Sequence, residues 1–295
     1  MVTRSLQPKG SSVVGAGMMR VSRLLAPLLV LTLMTPAAAQ QADLVSVTTP
    51  RGVAQSFILI EPEDPIAAVI LLVGGHGALG LKSPTEMDWG ERSFLARTRE
   101  KFAAQKLIVA LVDAPSDRED GMDTAFRMGN AHAGDIDAVG GYIKQLADVP
   151  VWAVGTSTGT WSAAWNAIAA DNIDGLVLTS TITKPRSHWK LAQTHPDGVA
   201  SLPLDEVLMP TLILAHAEDT CDTTPPDGVS KLRDRLTNAQ PVEVVMLKGG
   251  EANPSEACEA MSRHGFLGVE DEAVGAIVKF ITANSAKGTN DAAGK

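Results

Sequence analysis

Residues 150–170 constrain the fold more than any other stretch of this chain. A short apolar run, Val151-Trp-Ala-Val154, ends in Gly155-Thr156-Ser157-Thr158-Gly159. An alanine-rich segment follows, with Trp161, Trp165 and Ile168 at i, i+4 and i+7. The pattern predicts a buried strand, a very sharp turn, then a helix packing through one face. In a Gly-x-Ser-x-Gly turn the serine sits on strained backbone that lifts its hydroxyl above the sheet edge. The glycines keep side chains out of the neighbouring strand and helix. The N-terminus of the following helix offers free N–H groups to a developing anion. A glycine-rich connection with a merely solvated serine would look the same locally, so the reading depends on what the rest of the chain supplies.

The rest of the chain repeats the strand–helix alternation. Residues 43–49 and 54–60 alternate as an antiparallel pair turning at Pro50-Arg51-Gly52. The continuous apolar run at 67–73 reads as a central strand, 107–112 as the next buried strand, and 175–180, 211–216 and 242–247 as further strands. Helical patterns occupy 91–105, 131–147, 225–236 and 270–283. Ile136, Val139, Ile143 and Leu146 lie on one face of the second. Pro225 opens the third. Val274, Ile277, Val278 and Ile281 point inward from the fourth. The alternation predicts an α/β fold, a mostly parallel central sheet with helices on both faces and an antiparallel edge. One domain is expected over 43–283, with a small polar tail at 284–295. Residues 181–209, including Trp189, are too short for a separate cap domain but long enough to fold over a site.

The first residues read differently. Arg20 and Arg23 precede an apolar run from Leu24 to Met34, and Pro36-Ala-Ala-Ala39 follows. This is the composition of a signal peptide over 1–39, with Met18 or Met19 as an alternative start; the competing reading is an anchor helix. Its removal takes the net charge from −9 to −13, because Arg4, Lys9, Arg20 and Arg23 go and no acid does. Such a surface repels nucleic acid and anionic membranes, so neither is expected as a partner. The body of the chain has no run long enough to span a membrane. The two cysteines, Cys221 and Cys258, are an even count, which in an exported protein favours one disulfide over two unrelated thiols.

A nucleophilic serine needs a base to take its proton and an acid to orient that base. In a doubly wound sheet these come from loops at the carboxyl ends of strands. The strand at 211–216 is followed by Ala217-Glu218-Asp219-Thr220-Cys221-Asp222, where Asp219 is the best acid and Glu218 and Asp222 are rivals. His264, in Ser262-Arg263-His264-Gly265-Phe266, is the candidate base. His216 ends a strand and is expected to bond locally, while His132, His188 and His195 fall in the wrong chain order. The oxyanion site requires backbone N–H groups. Thr158 supplies one, and the turn Gly74-Gly75-His76-Gly77 supplies the other, from His76 or from its rival Gly77. A phosphate cradle at that turn is weak, because no Lys-Ser/Thr pair follows it.

The chain resembles the α/β-hydrolase superfamily from about residue 55 to 283. The likeness is carried by Gly-Thr-Ser-Thr-Gly at 155–159, Ala-His-Ala-Glu-Asp at 215–219 and His-Gly-Phe at 264–266. More narrowly it is similar to small exported hydrolases with Asp-x-Cys in the acid loop, an Asp-Ala-Pro-Ser-Asp segment and a Cys shortly before His-Gly-Phe. The resemblance implies hydrolysis of a small-molecule ester, thioester or amide through an acyl-enzyme, with no metal or cofactor. The chain departs from many lipases and esterases in lacking a His-Gly-Gly-Gly run, and Thr160 stands where a third glycine is frequent. Asp219 and His264 must meet if they act together, which brings Cys221, two residues after the acid, near Cys258, six before the base. The expected function is that of a periplasmic or secreted serine hydrolase, most simply a carboxylesterase. The alternatives are a peptidase or acylaminopeptidase of the same fold, or a silent binding protein.

Overall fold

Eight strands form one sheet among the residues that the computed structural model describes, 41–251 and 256–285. The chain divides at Ala38, and the described residues all belong to the unit that follows. The expected leader at 1–39 lies outside them, as does the tail from 286. In chain order the strands are β1 (Ala42–Thr48), β2 (Ala54–Ile60), β3 (Ala67–Leu72), β4 (Leu81–Ser83), β5 (Glu86–Met87), β6 (Leu107–Val112), β7 (Val151–Thr156), β8 (Gly175–Thr179), β9 (Thr211–His216) and β10 (Val242–Leu247). The helices are α1 (Phe94–Ala103), α2 (Thr124–Arg127), α3 (Asn130–Leu146), α4 (Gly159–Ala169), α5 (Gly228–Arg235) and α6 (Glu270–Ser285).

The sheet order is β1-β2-β6-β3-β7-β8-β9-β10, with β4 and β5 paired separately as a small hairpin. β6, β3, β7, β8, β9 and β10 run parallel, while β2 is antiparallel to both β6 and β1. β3 is central, with Val69 opposite Val109 of β6 and Leu71 opposite Val154 of β7. Alternate residues of each strand enter two cores. Ile70 and Ala153 pack with Ile136, Val139 and Ile143 of α3 and Trp161 of α4. Val69, Leu71 and Val154 pack on the other face with Phe94 and Phe102 of α1 and Ile277 and Ile281 of α6. Burial on both faces is why these strands read as continuous apolar runs rather than as alternations.

The layering places a crevice. The chain leaves β3 toward α1 on one face of the sheet and leaves the adjacent β7 toward α4 on the other. Loops that part in this way open a cleft at the carboxyl ends of the two strands.

Several boundaries differ from expectation for local reasons. α1 starts at Phe94, because the Ser93 hydroxyl accepts the Ala96 N–H and caps it there. α5 starts at Gly228 rather than Pro225. Pro226 disfavours helical backbone at the residue before it, and Pro225 instead accepts the Gly228 N–H in a turn. α6 runs to Ser285, whose hydroxyl accepts the Trp152 indole N–H at 3.2 Å. Leu146 ends α3 exposed, although the helical pattern put it inward. α4 is covered nearly all round rather than on one face, with Thr160, Ser162 and Asn166 buried as well as Trp161 and the alanines. Residues 181–209 carry three short 3-10 turns and no separate cap; Ile182, Val199 and Leu204 anchor the segment in the core. No helix among the described residues is long and apolar enough to cross a membrane.

Candidate active site

The turn after β7 is as tight as its glycines imply. A Cβ on Gly155 would stand 2.5 Å from the Gly159 carbonyl oxygen, and one on Gly159 would stand 2.0 Å from the Leu72 carbonyl oxygen. Neither position tolerates a side chain, so the strand and helix meet only through glycine. Ser157 between them has φ +52°, in the left-handed region that non-glycine residues rarely occupy. Its N–H donates to the Thr179 carbonyl at 3.1 Å, and its carbonyl accepts the Thr160 N–H at 3.0 Å. The over-determined turn holds the hydroxyl at the mouth of the crevice.

The loop after β3 closes the other wall. A Cβ on Gly74 would lie 2.9 Å from that of Ser157. The Gly75 carbonyl accepts the Thr158 hydroxyl at 2.7 Å and the buried Arg127 guanidinium at 3.2 Å. Asp113, just past the end of β6, accepts the N–H groups of Leu79, Gly80, Leu81 and Ala114 and so pins the far end of the same turn. The His76 ring packs against Trp89 with centroids 3.9 Å apart, and Gly77 backs onto Arg127.

The acid and base loops converge on the sheet's carboxyl edge. His264 Nδ1 lies 3.1 Å from Asp219 Oδ2, and both side chains are almost wholly buried. Asp219 also accepts the Cys221 N–H at 2.9 Å and the Thr224 hydroxyl at 2.7 Å, and Thr224 Oγ1 stands 3.1 Å from His264 Nδ1. A proton on Nδ1 facing this carboxylate leaves Nε2 as the acceptor. The histidine loop is held by Ser180, whose hydroxyl donates to the His264 carbonyl at 2.6 Å, and by Ser262, whose Oγ accepts the His264 N–H. Arg97 donates to the Gly265 carbonyl and pairs with Glu270 at 3.0 Å.

The rivals are occupied elsewhere. Glu218 faces Arg263, while Asp222 pairs with Arg186, whose hydrogen bond holds the Asp222 carboxyl below its ordinary range. His216 accepts the Glu218 N–H at Nδ1, so its Nε2–H donates to the Gly249 carbonyl at 3.0 Å, as a locally bonded histidine should. Cys221 and Cys258 are joined in a disulfide, with Cα atoms 4.6 Å apart. Cys221, Asp222 and Cys258 are the one close group of metal-ligand types among the described residues, and both sulfurs are spent in that bond.

A cavity of about 590 Å³ joins these groups. Ser157, Thr158 and His264 line it together with Gly74 and Gly75, while His76 and Gly77 do not. Trp189 and Ile182 reach it from the 181–209 segment, and Trp89 reaches it from the loop before α1. No hydrogen bond joins Ser157 to His264 among the described residues; such bonds commonly tighten only around substrate. Thr224 and Arg127 had no signal in the sequence, since Thr224 stands against a histidine 40 residues away and Arg127 holds partners 35 and 52 residues away.

No protein-family model matches the sequence, and no curated protein does. Solved structures do. An esterase of Pyrococcus furiosus, Pf2001, superimposes with a TM-score of 0.57 at 15% identity, over 83% of this chain and 93% of that one. A dienelactone hydrolase from Anabaena variabilis gives 0.58 at 16% identity, over 84% and 99%. A puromycin-hydrolyzing peptidase of Mycobacterium tuberculosis gives 0.59 at 14% identity over 85% of this chain, which spans only 40% of that longer protein. The sheet order, the helices on both faces and these likenesses agree: the chain has the α/β-hydrolase fold.

Proposed function

We propose that the protein is a serine hydrolase that cleaves a carboxylic ester through an acyl-enzyme. The observation that carries the reading is the strained Ser157 turn sharing one cavity with a buried His264 whose Nδ1 meets Asp219. Ser157 is the nucleophile: its Oγ adds to the ester carbonyl as its proton passes to His264 Nε2. His264 returns that proton to the departing alcohol, and the acyl group remains on Oγ. Water, deprotonated by the same nitrogen, then releases the acid and restores the serine. Asp219 keeps the ring oriented and stabilises its charged form, with Thr224 and the Cys221 N–H fixing the carboxylate. The oxyanion is received by the N–H of Thr158 and by an N–H of the 75–77 turn, where Gly75 meets the cavity and His76 and Gly77 continue the loop. The reaction requires no cofactor. The leader read at 1–39 and the disulfide together favour export to an oxidising compartment. An ester is put first because an esterase and a dienelactone hydrolase share this fold over 93% and 99% of their own lengths.

Fluorophosphonate labelling and turnover of short-chain esters test the reading. Native protein is expected to label and to hydrolyse, and Ser157→Ala to do neither while keeping its thermal transition. Because residues that act as a unit are non-additive, Ser157→Ala/His264→Ala should be little worse than either single variant. Equal labelling of native protein and Ser157→Ala overturns the assignment.

A further inference from the structure

A second cavity of about 530 Å³ opens on the other side of the oxyanion turn. Gly75, Thr158 and Trp189 belong to both cavities, so the two meet at the point where the tetrahedral oxygen would sit. His264 lines only the first. The base must protonate the departing alcohol, so the alcohol lies on the His264 side and the acyl chain extends the other way. The second cavity is where that chain goes.

Its walls combine apolar side chains, Met122, Met128 and Leu191, with two cations that form no ion pair among the described residues. Arg127 is buried to 1% exposure. It donates to the Ser162 hydroxyl and the Gly75 carbonyl, but among the described residues its Nε has no hydrogen-bond partner and no carboxylate pairs with it. Burial alone draws its pKa down to about 10, so it remains a cation at neutral pH. Lys190 lines the same cavity from the surface and has no ion-pair partner among the described residues. The one acid on the lining, Asp123, spends Oδ1 on the Phe126 N–H as the cap of α2. Unpaired buried cations are costly and uncommon. Here one survives in a chain whose acids outnumber its bases by 34 to 25.

We infer that the second cavity is a subsite for an acyl group ending in a carboxylate, which makes the substrates monoesters of short dicarboxylic acids. The inference rests on the serine-hydrolase reading and adds the substrate class to it. The methylenes lie along Met122, Met128 and Leu191. The free carboxylate supplies the counter-charge that Arg127 and Lys190 lack: Lys190 meets it from the exposed wall, while Arg127, whose terminal nitrogens are held by Ser162 and Gly75, acts through its charge.

The test pairs each anionic ester with its neutral isostere: monomethyl succinate, glutarate and adipate against methyl butanoate, pentanoate and hexanoate, followed by acid release. The native enzyme is expected to favour the anion by about tenfold or more in kcat/KM in at least one pair, the usual scale for a charge-assisted hydrogen bond. The ratio should collapse in Arg127→Met and in Lys190→Glu, the latter at an exposed site where folding is not at stake. Calorimetric titration of Ser157→Ala with monomethyl adipate gives a readout independent of turnover; saturable binding, weakened by adding Lys190→Glu, is expected. The inference falls if no pair favours the anion, if the preference survives in both variants, or if Ser157→Ala shows no saturable binding. Neutral esters turned over through Ser157 with no anionic preference would overturn the subsite alone. Undiminished hydrolysis by Ser157→Ala would overturn the nucleophile, and the subsite with it.

Discussion

Both ring nitrogens of His132 are buried in α3 without a hydrogen bond among the described residues, next to the ring of Phe126. Burial first, then the positive charges of Arg127 and Arg51, push its pKa down from 6.5 to about 3. The folded protein thus keeps this ring neutral where the unfolded chain protonates it. Stability from this residue is intact above pH 6.5 and is lost as the pH falls toward 3, at up to about 1.4 kcal/mol per pH unit. In urea unfolding at pH 7, 5.5 and 4, His132→Leu should match or exceed the native protein at pH 7, since an unpartnered buried polar group gives way to an apolar one. Its advantage should then widen steadily with acid. Parallel stability curves for the two proteins would refute this account of His132.

At the scale of elements, the legible features were those that the chain carries locally. β6 begins and ends where its apolar run does, because a strand buried on both faces needs apolar residues throughout, whereas β10, at the sheet edge, was legible from its valines although none of its residues is fully buried. The glycines of the serine turn were readable because each is demanded by a contact within the strand–turn–helix unit or with the adjacent strand. The β4–β5 hairpin and α2 escaped notice, since three, two and four residues are too few to show a period. What joins one loop to another was invisible for a different reason. Thr224 belongs to the acid loop between β9 and α5, yet its hydroxyl stands against a histidine 40 residues later. That hydroxyl donates to Asp219 while standing against His264 Nδ1, so it fixes the relative position of two loops. Thr224→Val keeps the shape and deletes the hydrogen bonds. Loss of a buried bond to a charged group costs about 1.5–3 kcal/mol, so kcat should fall roughly ten- to a hundredfold with KM little changed. Thr224→Ser should restore most of the rate. A valine variant with native kcat would show that Asp219 needs no help in holding the ring.

Across the whole molecule, the Cys221–Cys258 bond ties the loop after β9 covalently to the loop before α6, which also meet through His264–Asp219, Thr224–His264 and Arg263–Glu218. One sulfur lies two residues from Asp219, and the other lines the cavity that His264 enters. The bond therefore acts on the unfolded chain and on the site alike. On the chain-entropy account, closing a loop with a sequence separation of 37 is worth about 3–4 kcal/mol. For a domain of this size that corresponds to a fall in Tm on the order of 10 °C when both cysteines become serine. On the proposed mechanism the site should feel the change more than the fold does, because a small error in the aim of Asp219 at His264 would lower the rate of every step that moves a proton through that ring. Cys221→Ser/Cys258→Ser should thus show a lowered Tm and a lowered kcat, measured well below its own transition, with KM close to native. Mass spectrometry of the protein before and after reduction should find the bond formed. Free thiols at both positions would remove the basis for the stability claim. A folded double variant with native kcat would leave the disulfide as a clasp on the chain alone, and the aim of Asp219 would then rest on Thr224 and the Cys221 N–H.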